Sequence, residues 1–143
     1  MSPGEFSVTV RREGEVRVVD VGGSMGVLGA ALLGSRLLAL LEGDGEPRVL
    51  VDLEEAKPLA PGALLATLLR VDRYAGQRGA RVVVVGGPLS RPALETRGAR
   101  RWLTLAGSRD EALGDLGRQP LRVVQQSGTG DDEERTARER GEL

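Results

Sequence analysis

The side chains able to do chemistry in this sequence are carboxylates, guanidiniums and a few hydroxyls, because it contains no Cys and no His and its only lysine is Lys57. Thiol redox steps, Cys or His metal sites and every nucleophile that relies on an imidazole base are thereby excluded. The most suggestive carboxylates are Asp52, Glu54 and Glu55, at the end of the apolar run Arg48-Val49-Leu50-Val51-Asp52-Leu53. Two carboxylates at a strand exit can serve as an acid and base or hold a hard cation. No other carboxylate is tied to them by spacing, so they read as a polar strand exit with solvated side chains. The stretch Gly22-Gly23-Ser24-Met25-Gly26 lies where a phosphate cradle would lie, after one apolar run and before another. It has neither the Gly-x-Gly-x-x-Gly spacing nor the Lys-Ser/Thr ending of a P-loop. Ser24 has no plausible base, and a Ser-x-x-Lys pairing fails because Glu54 stands three residues before Lys57. Arg91, Arg97, Arg100 and Arg101 form a basic group that reads first as a solvated basic face and second as a surface for an acidic partner. No catalytic residue, metal ligand or cofactor is expected.

These groups sit in 143 residues, 40% hydrophobic and 29% charged, the size and composition of one soluble domain. Twenty basic against 21 acidic residues leave no basic field, and Phe6, Tyr74 and Trp102 are the only aromatics. With no stacking platform and no positive field, nucleic acid is not an expected ligand. The longest apolar stretch, 27–41, is interrupted by Gly29, Gly34, Ser35 and Arg36 and is shorter than the roughly 20 residues that span a bilayer. The first residues, Met1-Ser2-Pro3-Gly4-Glu5, show no signal-peptide pattern, so no membrane association and a cytoplasmic location are expected.

Hydrophobic periodicity places the elements. Residues 6–10 alternate with period two and the apolar run 16–21 follows after a polar stretch with Gly14, which predicts a hairpin. Gly22-Gly23 is expected to break the second strand. From Val27 the apolar positions Leu28, Ala31, Leu32, Ser35, Leu38 and Leu41 form one helical stripe. Residues 48–53 read as a strand covered on both faces. A second helix starts at Pro61, burying Leu64, Leu65, Leu68, Leu69, Val71 and Ala75, and stops at Gly79. Residues 81–85 are the most hydrophobic strand and the expected centre of the sheet; a short helix follows around 89–97, then a strand at 102–105. Ser108 and Glu111 make a capping box for a last helix at 109–116. The order β-β-α-β-α-β-α-β-α predicts an α/β domain with a mixed, mostly parallel sheet and about four helices. The domain is expected over 1–118, with a C-terminal extension over 119–143 whose composition from about Ser127 is that of a disordered tail.

This order, and several stretches in it, resemble the STAS domain, the sulphate-transporter and anti-sigma-factor-antagonist family, over roughly 6–116. Residues 18–26 are similar to its second-strand exit, 49–53 to its third strand with the Asp-Leu ending, 64–85 to its second helix and fourth strand, and 97–103 to the segment before its last strand. In regulated bacterial members the loop after the third strand carries Asp-Ser-Ser/Thr-Gly, and a kinase partner phosphorylates the second hydroxyl residue. An ungapped alignment from Leu53 puts Ala60, Pro61, Gly62 and Ala63 there, and puts Gly26 where the family has an Asp after its second strand. The phosphoacceptor and the neighbouring carboxylates are absent, and phosphoryl transfer needs an oxygen nucleophile.

The resemblance therefore implies a non-catalytic protein-binding module, related to anti-sigma factor antagonists but without the usual phosphoacceptor. Its implied partner is an anti-sigma factor or a kinase-like regulatory protein, with self-association second. Ser24, Met25, Gly26, Val27, Pro58, Leu59, Pro61 and Gly62 are the expected partner-binding surface, since both segments leave the carboxyl ends of parallel strands. The alternative is a small-ligand carrier or sensor with its pocket at the same strand exits.

Overall fold

A computed structural model describes residues 5–43 and 47–118; the expected tail lies outside the described residues. The elements are β1 (Ser7–Glu13), β2 (Val16–Met25), α1 (Val27–Leu41), β3 (Arg48–Pro58), α2 (Pro61–Gln77), β4 (Arg81–Gly86), α3 (Ser90–Glu95), a 3-10 turn (Ala99–Arg101), β5 (Leu105–Ala106) and α4 (Arg109–Arg118). Their order is the expected one. The sheet runs β1-β2-β3-β4-β5, antiparallel only between β1 and β2. The β1–β2 hairpin closes at Gly14, whose φ of 62° is the left-handed conformation that such a tight turn requires.

Strand alternation sends side chains to two different layers. On one face Val19, Val21, Val49, Val51, Val82 and Val84 meet the buried sides of α1, α2 and α3. On the other, Val16, Val18, Leu50, Val83 and Val85 meet Ala112 and Leu116 of α4. The centre of the sheet is β3, with β4 beside it, because the short β5 still adds one strand outside β4.

Four local expectations are corrected. First, Gly22-Gly23 does not end β2: the strand continues to Met25 alongside Glu55–Pro58, and β3 likewise continues past Leu53. The glycine stretch is thus a ladder strand and no phosphate cradle. Gly23 is required there because its φ is 82° and a Cβ would lie 1.9 Å from the Glu5 carbonyl oxygen. Second, the buried stripe of α1 is Ala30, Leu33, Gly34, Leu37 and Leu41, while Leu28, Ala31, Leu32 and Ser35 are exposed. Leucines surround this helix, so periodicity permits two stripes; contact with α2 selects one, since a Cβ on Gly34 would meet Thr67 Cγ2 at 2.8 Å. Third, Trp102 belongs to no strand. Gly98, at φ 75°, starts the 3-10 turn, Trp102 ends it, and only Leu105–Ala106 pair with β4. Fourth, Asp52 is no solvated strand exit: it is 4% exposed.

Candidate functional site

Two regions at the carboxyl end of the sheet carry the residues of interest. The first joins the exits of β2 and β3. The Leu59 amide donates to the Met25 carbonyl at 2.8 Å, tying the two exits together, and α1 and α2 start immediately beyond them at Val27 and Pro61. The N-cap positions are Gly26 and Ala60; neither helix has a side-chain cap bond or an acidic residue in its first turn. The free amides of the first turns, Pro61 having none of its own, therefore receive no bond from a capping side chain. Around them Val27 is 64% exposed, Leu28 80%, Leu32 59% and Leu59 60%. Gly62 is exposed, and Ser24, Gly26, Pro58 and Pro61 are half-buried. Met25, expected on this surface, is 1% exposed and packs inward against the Gly29 side of α1. Leu28 and Leu32, one helical turn apart and expected in the core, take its place outside.

The second region was legible only in part: the sequence singles out Asp52, Glu54 and Glu55 but reads them as a solvated strand exit, and it points to neither Asp20 nor Arg109. In the β2–β3 register Asp20 lies beside Asp52, both facing the α4 side of the sheet, so two carboxylates stand next to each other at the edge of an apolar layer. Arg109, the first residue of α4, answers them. Its Nε and Nη2 donate to Asp52 Oδ2 at 3.1 and 2.6 Å, and Nη2 also donates to Asp20 Oδ1 at 2.5 Å. Glu13 Oε2 lies 3.7 Å from Arg109 Nη1, and Arg11 pairs with both Asp20 and Glu13 from β1. The helix that carries Arg109 is set by Ser108, whose Oγ accepts from the Glu111 amide at 3.1 Å, while Glu111 Oε1 accepts from Gly107 N at 2.9 Å. This is the expected capping box, with the return bond made one residue early. At the far end of α4, Asp115 reaches Arg81 at 3.4 Å.

A β-bulge completes this region. Between Asp20 and Gly22 on β2, β3 advances from Asp52 to Glu55, one residue more than its partner. The extra residue turns both Glu54 and Glu55 to solvent and leaves the Glu54 amide to donate to Asp52 Oδ1 at 2.9 Å. Burial pushes the Asp52 carboxyl above its ordinary range, and the charges of Glu54 and Asp20 add to that push; the Glu54 amide pulls the other way. The guanidinium 2.6 Å away is what keeps the buried carboxylate tolerable. An open cavity of about 300 Å³ adjoins the cluster, lined by Ser7, Thr9, Asp20, Gly22, Glu55 and Arg109 among others. Among the described residues, no group of three or more carboxylates is arranged to hold a metal ion. The sequence signal was available in part: an Asp inside each of two adjacent apolar strands demands a cation, but only the tertiary fold says which of nineteen arginines supplies it.

Of the four arginines grouped in the sequence, Arg91 is spent internally, its Nη2 donating to the Gly86 and Gly107 carbonyls. Arg97, Arg100 and Arg101 remain on the surface.

No protein-family model matches this chain, and no curated protein does. Solved structures do. An anti-sigma factor antagonist from Mycobacterium paratuberculosis superposes with a TM-score of 0.70 at 23% identity, over 81% of this chain and 97% of that one. An anti-sigma-factor antagonist (STAS) domain protein from Planctomyces limnophilus superposes with a TM-score of 0.63 at 18% identity, over 77% of this chain and 97% of that one. The fold is the STAS fold. SpoIIAA, a Bacillus cell fate determinant solved in its phosphorylated form, shares it with a TM-score of 0.58 at 12% identity, over 77% of this chain and 99% of that one. At these identities the likeness establishes the STAS fold; function has to be argued from the surface this chain presents on it.

Proposed function

We propose that this chain is a regulatory protein-binding module of the bacterial cytoplasm that acts by docking and not by catalysis, like the anti-sigma factor antagonists whose fold it shares, and that it lacks a phosphorylation switch. The observation that carries this reading is the cluster of exposed aliphatic side chains, Val27, Leu28, Leu32 and Leu59, around two helix starts at one end of the sheet. Isolated exposed leucines are ordinary; four together with uncapped helix amides suit a protein interface. The partner is an anti-sigma factor or a kinase-like regulatory protein. Loss of the switch is supported by the sequence of the α2 start, Ala60-Pro61-Gly62-Ala63, which has no hydroxyl. The nearest hydroxyl within α2, Thr67, is buried against Gly34 and has no route to an incoming γ-phosphate. Among the described residues no helix is long and apolar enough to cross a membrane.

The test is calorimetric titration with the kinase-like anti-sigma factors of the same genome, with ATP present. Wild type binds one of them and takes up no phosphate. Gly62→Glu, whose added Cβ meets nothing within 4 Å, and Leu28→Glu each weaken binding by about tenfold or more, ~1.4 kcal/mol, at unchanged melting temperature. Wild-type affinity in both variants moves the interface elsewhere, and stoichiometric phosphate uptake overturns the loss of the switch.

A further inference from the structure

The crossover from β4 to β5 builds a basic corner. Leu94, Ala99 and Leu103 enter the core, and the tight path through Gly98 and the 3-10 turn drives the residues between them outward. Arg97, Arg100 and Arg101 are exposed, and Trp102 is 61% exposed. Arg100 pairs with Glu95 at 2.8 Å, and Arg97 donates only to the Ala93 carbonyl at 3.2 Å. The Arg101 side chain has no ion-pair or hydrogen-bond partner among the described residues; its amide donates to the Gly98 carbonyl at 3.1 Å. Two exposed guanidiniums without a carboxylate and one exposed indole, all carried by residues 97–102, are of the side-chain types that dominate binding at interface centres.

The sequence holds one complementary segment. Asp131-Asp132-Glu133-Glu134 is its longest run of like charge. It follows α4, which ends at Arg118, by thirteen residues. Thirteen residues reach about 45 Å when extended and about 20 Å as a coil, against a radius of gyration of about 13 Å for a domain of this size. The corner is therefore within reach, at an effective concentration on the order of millimolar. We propose that Asp131–Glu134 docks on Arg97, Arg101 and Trp102 of its own chain, as a tethered acidic ligand that any acidic partner segment must displace. Exposed ion pairs are individually weak and salt-screened, so the contact is held by several charges and the tether together, and it dissolves in salt.

The chain has no Cys and a single Trp, which makes the test clean. A nitroxide on Gly130→Cys in the full chain is expected to broaden the amides of 97–102 selectively. Broadening disappears in about 1 M salt, where the screening length falls to about 3 Å. It also disappears in Arg97→Glu/Arg101→Glu, and it persists in Arg97→Lys/Arg101→Lys. The emission of Trp102 shifts to the red under the same two releasing conditions. A mixture of spin-labelled chain and isotope-enriched unlabelled chain shows no broadening; broadening there makes a second copy the occupant and overturns the proposal. Absence of broadening at 97–102, its indifference to charge reversal, or its appearance around Val27 and Leu59 instead overturns it equally.

Discussion

Arg109→Met removes the one cation that meets Asp52 among the described residues while keeping the aliphatic part of the side chain. Asp52 then keeps one bond, from the Glu54 amide, and its other oxygen is stranded at 4% exposure. Breaking a buried pair by removing one partner costs about 3–5 kcal/mol. Here the Arg109 and Asp20 side chains are 29% and 31% exposed, so water can enter part of the site and the expected cost is lower, about 2–3 kcal/mol. For a domain of this size that lowers the melting temperature by roughly 10 °C. Asp52→Asn in the same background removes the stranded charge, so the double variant is expected to be more stable than the sum of the two single losses, by about 1–2 kcal/mol of coupling. Arg11→Met serves as the control: Arg11 pairs with the same Asp20 but is 44% exposed, and its loss should cost far less than that of Arg109. Urea titrations of the four proteins with their wild type measure all of these. An Arg109→Met loss within about 0.5 kcal/mol of zero, or strict additivity with Asp52→Asn, refutes the view that a buried carboxylate depends on this arginine.

Val84→Asp buries a further carboxylate in the same sheet, on the apolar face packed against α1, α2 and α3, and is expected to cost several kcal/mol and yield little folded protein, measured by circular dichroism. Gly23→Ala should lose more than about 1 kcal/mol, because φ is 82° and the new Cβ would overlap the Glu5 carbonyl. Gly76→Ala, in an exposed helical position with open space around the Cβ, should instead gain up to about 1 kcal/mol in the same denaturation assay.

The elements were legible because each has a period of its own. The hairpin at Gly14, the buried run 81–85, the Pro61 start of α2 and the Ser108 cap all follow from local chemistry, and local chemistry is written in neighbouring residues. The resemblance added the expectation of a site at the β2 and β3 exits. What was misread lies where local preference is degenerate. The α1 sequence has leucine on nearly every side, so its inward face was open until Gly34 met Thr67. Met25 and Leu28 exchanged their expected places for the same reason. The length of β2 was open as well, since glycine is a poor strand former unless a neighbouring strand pairs with it, and β3 does.

The sequence by itself determined the chemistry this protein is denied, through its missing His and Cys, the α/β order, and the hydroxyl-free start of α2. Only the tertiary structure decided that Asp20 and Asp52 stand side by side under Arg109, residues 89 and 57 positions away in the chain. It likewise decided that Val27, Leu28, Leu32 and Leu59 share one exposed end of the sheet. Period and capping act over four or five residues; the meeting of charges and of aliphatic surfaces depends on register, bulge and helix crossing, which exist only once distant strands have paired.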